Sequence, residues 1–437
     1  MGAVAARTGR RLQAPWRARR DRGPWYRLDV RIVALTVLAA SLSACTSGAS
    51  DSACSADGRR DPRPVALVPV VVSESRWTNF YGVGDVAADS TVYINGGESL
   101  KLVALSGDLT GARLSVPSTN WSSKGIRFFV RSDNWEQVDV IEMLVGTEGV
   151  FSSYFTSSFS YQLASPADDD WLEVTLNHSD FTDGGGSPDW ATVNNVMFRT
   201  VALGQRPTTV YFDDFSVFES ARQPIVSLVF DDGWISQFTT AMPKMDEYGF
   251  EGTAYIIPSG IGADGFFTQA QIDVIADNGW DISGHGKTNL TLVTAEDAEQ
   301  DVCATHEYLT SHGYTGADHY AYPNGGVNPM VRDVVDTYFA TARTTNRLGN
   351  SIGYIPSMSI NSYQVYDSLP LETVQAAVDS AIQNNEWLIL GFHDIVEDAT
   401  INVQWATADF NELIDFIAAS GVEVRTVSEV WEMSLTN

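Results

Sequence analysis

Four short polar clusters in this chain carry the residue types that hydrolytic chemistry needs. An apolar run from Ile225 to Phe230 leads straight into Asp231-Asp232-Gly233, and a later one ends in His285-Gly286-Lys287-Thr288-Asn289. A third delivers Tyr322-Pro323-Asn324-Gly325, and a fourth, Leu388 to Phe392, ends in His393-Asp394. One carboxylate, one imidazole and an amide four residues further on can hold a divalent metal and leave positions open for water and substrate. A second carboxylate and a second histidine then remain for proton transfer.

Such groups need a scaffold that brings distant segments together. From about Arg222 to the end of the chain, strand-like runs (Ile225 to Phe230, Gly252 to Ile257, Trp280 to Ser283, Leu388 to Phe392) alternate with helical ones. The helical stretches are Thr268 to Asn278, Ala295 to His312, Pro329 to Tyr338, Thr373 to Asn384 and Thr407 to Ser420. This alternation predicts an α/β domain over 222–437, a parallel barrel or open sheet. In barrels of that kind, reactive groups gather at the C-terminal ends of the strands, where all four clusters fall.

Residues 65–221 follow a different pattern, with short β-rich runs broken by turn residues: Ala66 to Val72, Leu100 to Leu105, Ile126 to Arg131, Val138 to Val145, Trp171 to Leu176, Asn195 to Val201 and Thr209 to Phe218. They predict an all-β sandwich. Aromatic faces can stack on the flat apolar face of a ligand, and Trp77, Trp121, Trp135 and Trp190 are the candidate platforms. Asp213 and Asp214 are candidates for a structural Ca²⁺.

Composition narrows the function. The chain has 437 residues, 44% of them hydrophobic and 19% charged, which excludes wholesale disorder. Fifty-five acidic against 27 basic residues give a formal charge of −28, a surface that repels nucleic acid and other polyanions. No phosphate-binding glycine signature appears where a strand meets a helix.

Residues 1–44 read as a targeting segment, Arg-rich and then apolar from Ile32 to Ala40, a run too short for a spanning helix of about 20 residues. It ends in Leu42-Ser43-Ala44-Cys45, which resembles a bacterial lipobox with Cys45 as the lipidated residue. Residues 45–64 have the small, polar composition of a flexible tether. The expectation is an exported surface lipoprotein whose only membrane contact is its lipid, with no disulfide between Cys54 and Cys303.

The four clusters together resemble the polysaccharide deacetylase (NodB-homology) family. Ser227-Leu228-Val229-Phe230-Asp231-Asp232-Gly233 resembles its first motif, T-F-D-D-G. His285 to Asn289 resembles the second, H-[ST]-x-x-H, Tyr320 to Gly325 the third, and Leu388 to His393 the fifth. The segment from Trp171 to Val217 looks like the second half of a galactose-binding-like jelly roll, as in many carbohydrate-binding modules. The resemblance therefore implies two domains, an N-terminal jelly-roll sandwich and a C-terminal distorted (β/α) barrel. It makes Asp231 the general base, Asp232 and His285 metal ligands and His393 the general acid. The metal would be Zn²⁺, with Co²⁺, Ni²⁺ or Mn²⁺ as alternatives, and the backbone N–H of Asn324 would help to stabilise the oxyanion. Tyr322, Pro323 and Trp234 would line the substrate cleft. The implied reaction is metal-dependent removal of acetyl groups from a polysaccharide, either an N-acetylglucosamine glycan or acetylated xylan.

Three departures stand out. Asn289 replaces the second metal-binding histidine, and an amide oxygen is a neutral, harder ligand. Ala321 replaces the arginine that ordinarily precedes the third motif's proline, and Arg343 is expected to reach the base instead. Gly391 replaces the leucine two residues before His393, and the fourth motif is not recognisable. These departures leave open a non-catalytic glycan-binding protein with a degenerate barrel. A glycoside hydrolase would need two carboxylates flanking the bond about 5–10 Å apart, which adjacent Asp231 and Asp232 do not offer.

Overall fold

The structure is a computed structural model that describes residues 67–70, 76–105, 107–159, 170–204, 206–220, 223–346 and 349–436. The targeting segment, Cys45 and the tether lie outside the described residues, and among these no helix is long and apolar enough to cross a membrane.

Period-2 alternation produces the N-terminal strands. These are β1 (Val68–Pro69), β2 (Thr78–Tyr81), β3 (Asp85–Asp89), β4 (Ser99–Ala104), β5 (Leu109–Thr119), β6 (Lys124–Ser132), β7 (Val138–Glu148), β8 (Ser153–Ser158), β9 (Leu172–Leu176), β10 (Thr182–Gly185), β11 (Val193–Ala202) and β12 (Thr208–Glu219). They form two antiparallel sheets, ordered β3-β4-β12-β6-β9 with β1 on β12, and β10-β8-β7-β11-β5-β2. Inward residues of both, such as Leu100, Phe128, Val174 and Phe212 against Leu114, Met143, Val196 and Phe198, make one buried core. This is the all-β sandwich that the spacing predicts.

Two further expectations for this half are corrected. Trp77 and Trp121 are buried in that core. Trp190 is covered on both faces, by Phe155 and by His178, each stacked at 4.1 Å. Neither Trp77, Trp121 nor Trp190 offers a bare face to a sugar, and Trp135 also packs on the core. The expected calcium pair is neutralised by protein groups: Asp213 accepts from the backbone N–H of Ile94, Asn95 and Asp214, and Asp214 pairs with Arg127.

The C-terminal half is built on β13 (Ile225–Asp232), β14 (Thr253–Ile256), β15 (Asp281–His285), β16 (His319–Ala321), β17 (Thr341–Arg343), β18 (Tyr363–Gln364) and β19 (Trp387–Phe392). Short strands β20 (Asp394–Val396), β21 (Gln404–Ala406) and β22 (Glu423–Val424) complete it. The order is β17-β16-β15-β14-β13-β19-β18, all parallel, with β22 on β13. The segment before β18 also bonds to β17, through Ala342 N to Ser357 O and Thr344 N to Ile360 O. That segment thus spans the gap between the two ends of the sheet. Helices α1 (Met242–Asp246), α2 (Gln269–Asp277), α3 (Ala295–His312), α4 (Pro329–Tyr338), α5 (Leu371–Asn384), α6 (Thr407–Ser420) and α7 (Val427–Thr436) surround it. Cys303, on α3, is disulfide-bonded; the expectation about Cys54 lies outside the described residues.

The sandwich and the parallel-sheet half meet at a buried acidic junction. Ser179 donates its hydroxyl (2.7 Å) and backbone N–H (3.3 Å) to Glu386, which precedes β19. Burial pushes the Glu386 carboxyl up from 4.5 to about 7, and burial together with Glu386 raises the neighbouring Asp180. The fold therefore favours protonated Glu386, so this stabilisation is full below pH 4.5 and is lost as pH rises through 7. Glu386→Gln, which mimics the protonated form, is expected to stabilise the protein by about 3 kcal/mol at pH 8, with the difference shrinking as pH falls through 7 and nearly gone at pH 4.5. Urea unfolding at both pH values checks this.

Candidate active site

All four polar clusters lie at the C-terminal ends of the parallel strands. Strand β13 carries Asp231 and Asp232, β15 ends at His285, β16 leads into the Pro323–Gly325 turn, β17 ends at Arg343, and β19 delivers His393. The alternation along β13 sends its side chains to opposite sides, so adjacent aspartates serve different partners. Asp232 and Gly233 then take left-handed backbone angles, φ 70° and 83°, which turn the chain sharply out of the strand.

Asp231 is 4% exposed. Its Oδ1 is paired with Arg343 Nη2, and its Oδ2 lies 3.8 Å from His393 Nε2. Burial alone would raise this carboxyl, but the Arg343 charge, with His285 and His393, overrides it and holds Asp231 below the ordinary carboxylate range. Asp231 is therefore ionised at neutral pH although buried, the state a general base needs. Arg343 is itself fixed: its guanidinium lies 4.4 Å over the Tyr255 ring and Nη1 donates to Ser362 Oγ at 3.3 Å.

Asp232 faces the other partner, with Oδ1 3.5 Å from His285 Nε2 and Oδ2 accepting from Trp234 Nε1 at 3.0 Å. His285 Nδ1 lies 2.8 Å from the backbone oxygen of Ala321. A carbonyl can only accept, so Nδ1 carries a proton, which leaves Nε2, on the side of Asp232, as the ring atom that can bind a metal. This is the tautomer and the outer partner that a metal-binding histidine uses. Asp232 and His285 thus fit a divalent ion. Asn289 is differently engaged, its Oδ1 accepting from Thr291 N (3.0 Å) and Thr291 Oγ1 (2.7 Å) as the cap of the following turn. Among the described residues, no group of three or more His, Cys, Asp or Glu is arranged around a common metal position.

The remaining predicted residues divide. Asn324 is exposed, with left-handed φ 58° in the turn after β16. Trp234 is half-buried and rests on Phe266, ring centres 4.6 Å apart, at the rim beside Asp232. Tyr322 is not a cleft residue: it is 1% exposed and its hydroxyl donates to Met358 O at 3.2 Å, because its place just after a strand turns it into the core. Pro323 is buried as well. Gly391 makes room for Gln364, since a Cβ there would lie 2.2 Å from Gln364 Nε2, which donates to Ser362 Oγ at 2.9 Å.

Sequence reasoning missed three residues. Gln237 is fully buried and its Nε2 donates to the backbone oxygens of Asp231 (2.6 Å) and His393 (3.1 Å), tying the two strand ends together. Ser362 links Gln364 to Arg343. Only the place of Gln237, four residues after Gly233 at the start of a helix, hinted at it.

Comparison with known proteins adds a family match over part of the chain. Residues 219–341 match the sequence model of the polysaccharide deacetylase family, a match that ends before Arg343 and His393. No curated protein matches the chain. Solved structures similar to parts of it include a family 4 acetyl xylan esterase from Clostridium thermocellum, at 17% identity and TM-score 0.36, covering 48% of this chain and 91% of that one. The Xyl-CE4 domain of a multidomain xylanase from the hindgut metagenome of Trinervitermes trinervoides follows at 16% and 0.35, with 48% and 91% covered. A family 11 carbohydrate-binding module from Clostridium thermocellum matches at 12% and 0.28, covering 35% of this chain and 94% of that one. Residues 219–341, which carry the strand-end clusters from Asp231 to Asn324, are thus similar to the polysaccharide deacetylase family over that part of the chain.

Proposed function

We propose that the protein hydrolyses acetyl groups from a polysaccharide, an N-acetylglucosamine glycan or acetylated xylan, and that it does so as an exported lipoprotein anchored through Cys45. The observation that carries the reading is Asp231, buried yet held ionised by Arg343 and His393 beside the Asp232 and His285 pair. Asp232 and His285 would hold a divalent metal, Zn²⁺ first among the candidates, which when bound polarises the acetyl carbonyl and acidifies water. Asp231 Oδ2 takes the proton of the attacking water. The backbone N–H of Asn324 donates to the carbonyl oxygen as it gains charge. His393 Nε2 hands a proton to the departing amine or alcohol. Gln237, bonded to both backbones, keeps base and acid in register.

The test is acetate release by the full protein, stripped of metal and refilled with Zn²⁺, Co²⁺, Ni²⁺ or Mn²⁺, on N-acetylglucosamine oligomers and acetylated xylan. Activity is expected to vanish on stripping and to return with one of these ions. His285→Ala is expected to weaken metal binding at least about 100-fold by calorimetry, since it leaves one strong donor. An unchanged affinity would remove His285 from the metal site, and absence of acetate with every ion would overturn the reaction.

A further inference from the structure

A cavity of about 410 Å³ opens between the sandwich and the barrel, within the range of small-molecule sites. Five consecutive residues, Trp171 to Thr175, line one side. Successive side chains of a strand point to opposite faces, so an unbroken run means that the strand presents its edge to the cavity. Strand β9 is an edge strand, paired only with β6. Its outer row of N–H and C=O groups has no ladder partner among the described residues. The indole of Trp171 stands at one end of this row, half-buried and edge-on to Tyr211 at 6.5 Å.

The facing wall belongs to the barrel and to the loops that carry the catalytic groups. Val327 and Asn328 continue from the Pro323–Gly325 turn, and Thr344 and Asn346 follow Arg343 directly. Arg332 on α4 reaches across to Asp170, Nη2 to Oδ2 3.2 Å, so that the two domains share this wall. An aromatic face beside a row of alternating donors and acceptors, with amide and hydroxyl side chains opposite, matches a sugar ring, whose C–H face is apolar and whose rim is hydroxyls. Asp170 is paired with Arg332 and Glu173 with Arg127, and the carboxylates of Asp333 and Asp336 leave the lining negative, which disfavours uronic acids and phosphorylated sugars.

We propose that this cavity is a glycan subsite, which takes a non-anionic sugar unit of the same chain whose acetyl group is cut at Asp231. The inference rests on the deacetylase reading. It makes the contact between sandwich and barrel, and not a tryptophan platform on the sandwich, the place where polymer is held.

The test compares wild type, Trp171→Ala and Asp333→Arg in the full protein. Asp333 is exposed on α4, so its replacement fills the cavity mouth without touching the core. Calorimetry with N-acetylglucosamine hexamer and with acetylated xylohexaose is expected to show one of them bound, with Kd about tenfold weaker in both variants. The ratio of kcat/KM on that hexamer to kcat/KM on p-nitrophenyl acetate is expected to fall by a similar factor. Acetate release by the wild type with Kd and ratio unmoved in both variants would sink the subsite alone. Loss of hexamer binding in the variants of a protein that releases no acetate would sink the deacetylase reading and keep the subsite. Failure of the wild type to bind either hexamer would overturn the subsite.

Discussion

Asp231→Asn is expected to lower kcat for acetate release by about 10³-fold, within the span of 10²–10⁴ that a positioned general base supplies. Asn keeps the shape of the side chain and one oxygen, so Arg343 Nη2 retains an acceptor and the fold should survive. What disappears is the proton acceptor, because an amide oxygen is far too weak a base to take a proton from water near neutral pH. The measurement is acetate release per metal-loaded protein, alongside a thermal melt and metal binding by calorimetry. A variant that melts and binds metal like the wild type and yet loses turnover places the loss in proton transfer. A turnover within tenfold of wild type would mean that another group is the base and that the Asp231 and Arg343 pair is structural.

Much of this site is legible in the sequence, for local physical reasons. The first motif can be read because a buried parallel strand shows as a continuous apolar run, and polar residues that interrupt it at the C-terminal end have few other reasons to be there. Helices α3, α4 and α6 have the predicted bounds because their ends carry local signals. Thr294 caps α3 and Gly313 ends it with left-handed φ 70°, Asn328 and Pro329 open α4, and Gly421 closes α6. The resemblance, and not spacing, led to Arg343 as the partner of Asp231, since the pair is 112 residues apart in sequence.

Other features were hidden because their cause is tertiary. A tryptophan between strand-like runs can face either the core or solvent, and only the partner sheet decides, so Trp77 and Trp121 were misread as platforms. Asn289 looks like a ligand by its place in the motif, yet the hydroxyl and N–H of Thr291 two residues on satisfy its oxygen locally. Gln237, Ser362 and Gln364 are buried polar residues whose partners come from other strands, and no periodicity marks them. Strands β2, β3, β5, β8 and β10 fall outside the strand-like runs read from the sequence.

Arg343→Met is expected to damage both activity and stability, through the same carboxylate. Burial disfavours an ionised Asp231, and Arg343 is the first charge that counters it. Without the guanidinium, the carboxyl rises towards its protonated form and ceases to be a base at neutral pH. The acid limb of the kcat/KM profile should therefore move to higher pH, with activity lost at pH 6–7 and partly recovered above. The stability effect has a defined sign. A carboxyl held below its ordinary range contributes stability that is present above the ordinary range near pH 4 and is lost as pH falls through the lowered value. Removing Arg343 should cost about 3–5 kcal/mol at pH 7, as when one partner of a buried ion pair is deleted, and less near pH 4, where the orphaned carboxyl is protonated. Arg343→Lys keeps the charge but loses the fork that reaches both Asp231 and Ser362, so it should recover stability more fully than turnover. A profile whose acid limb stays in place, with stability lost equally at pH 4 and pH 7, would show that Arg343 holds the fold and not the protonation state of Asp231.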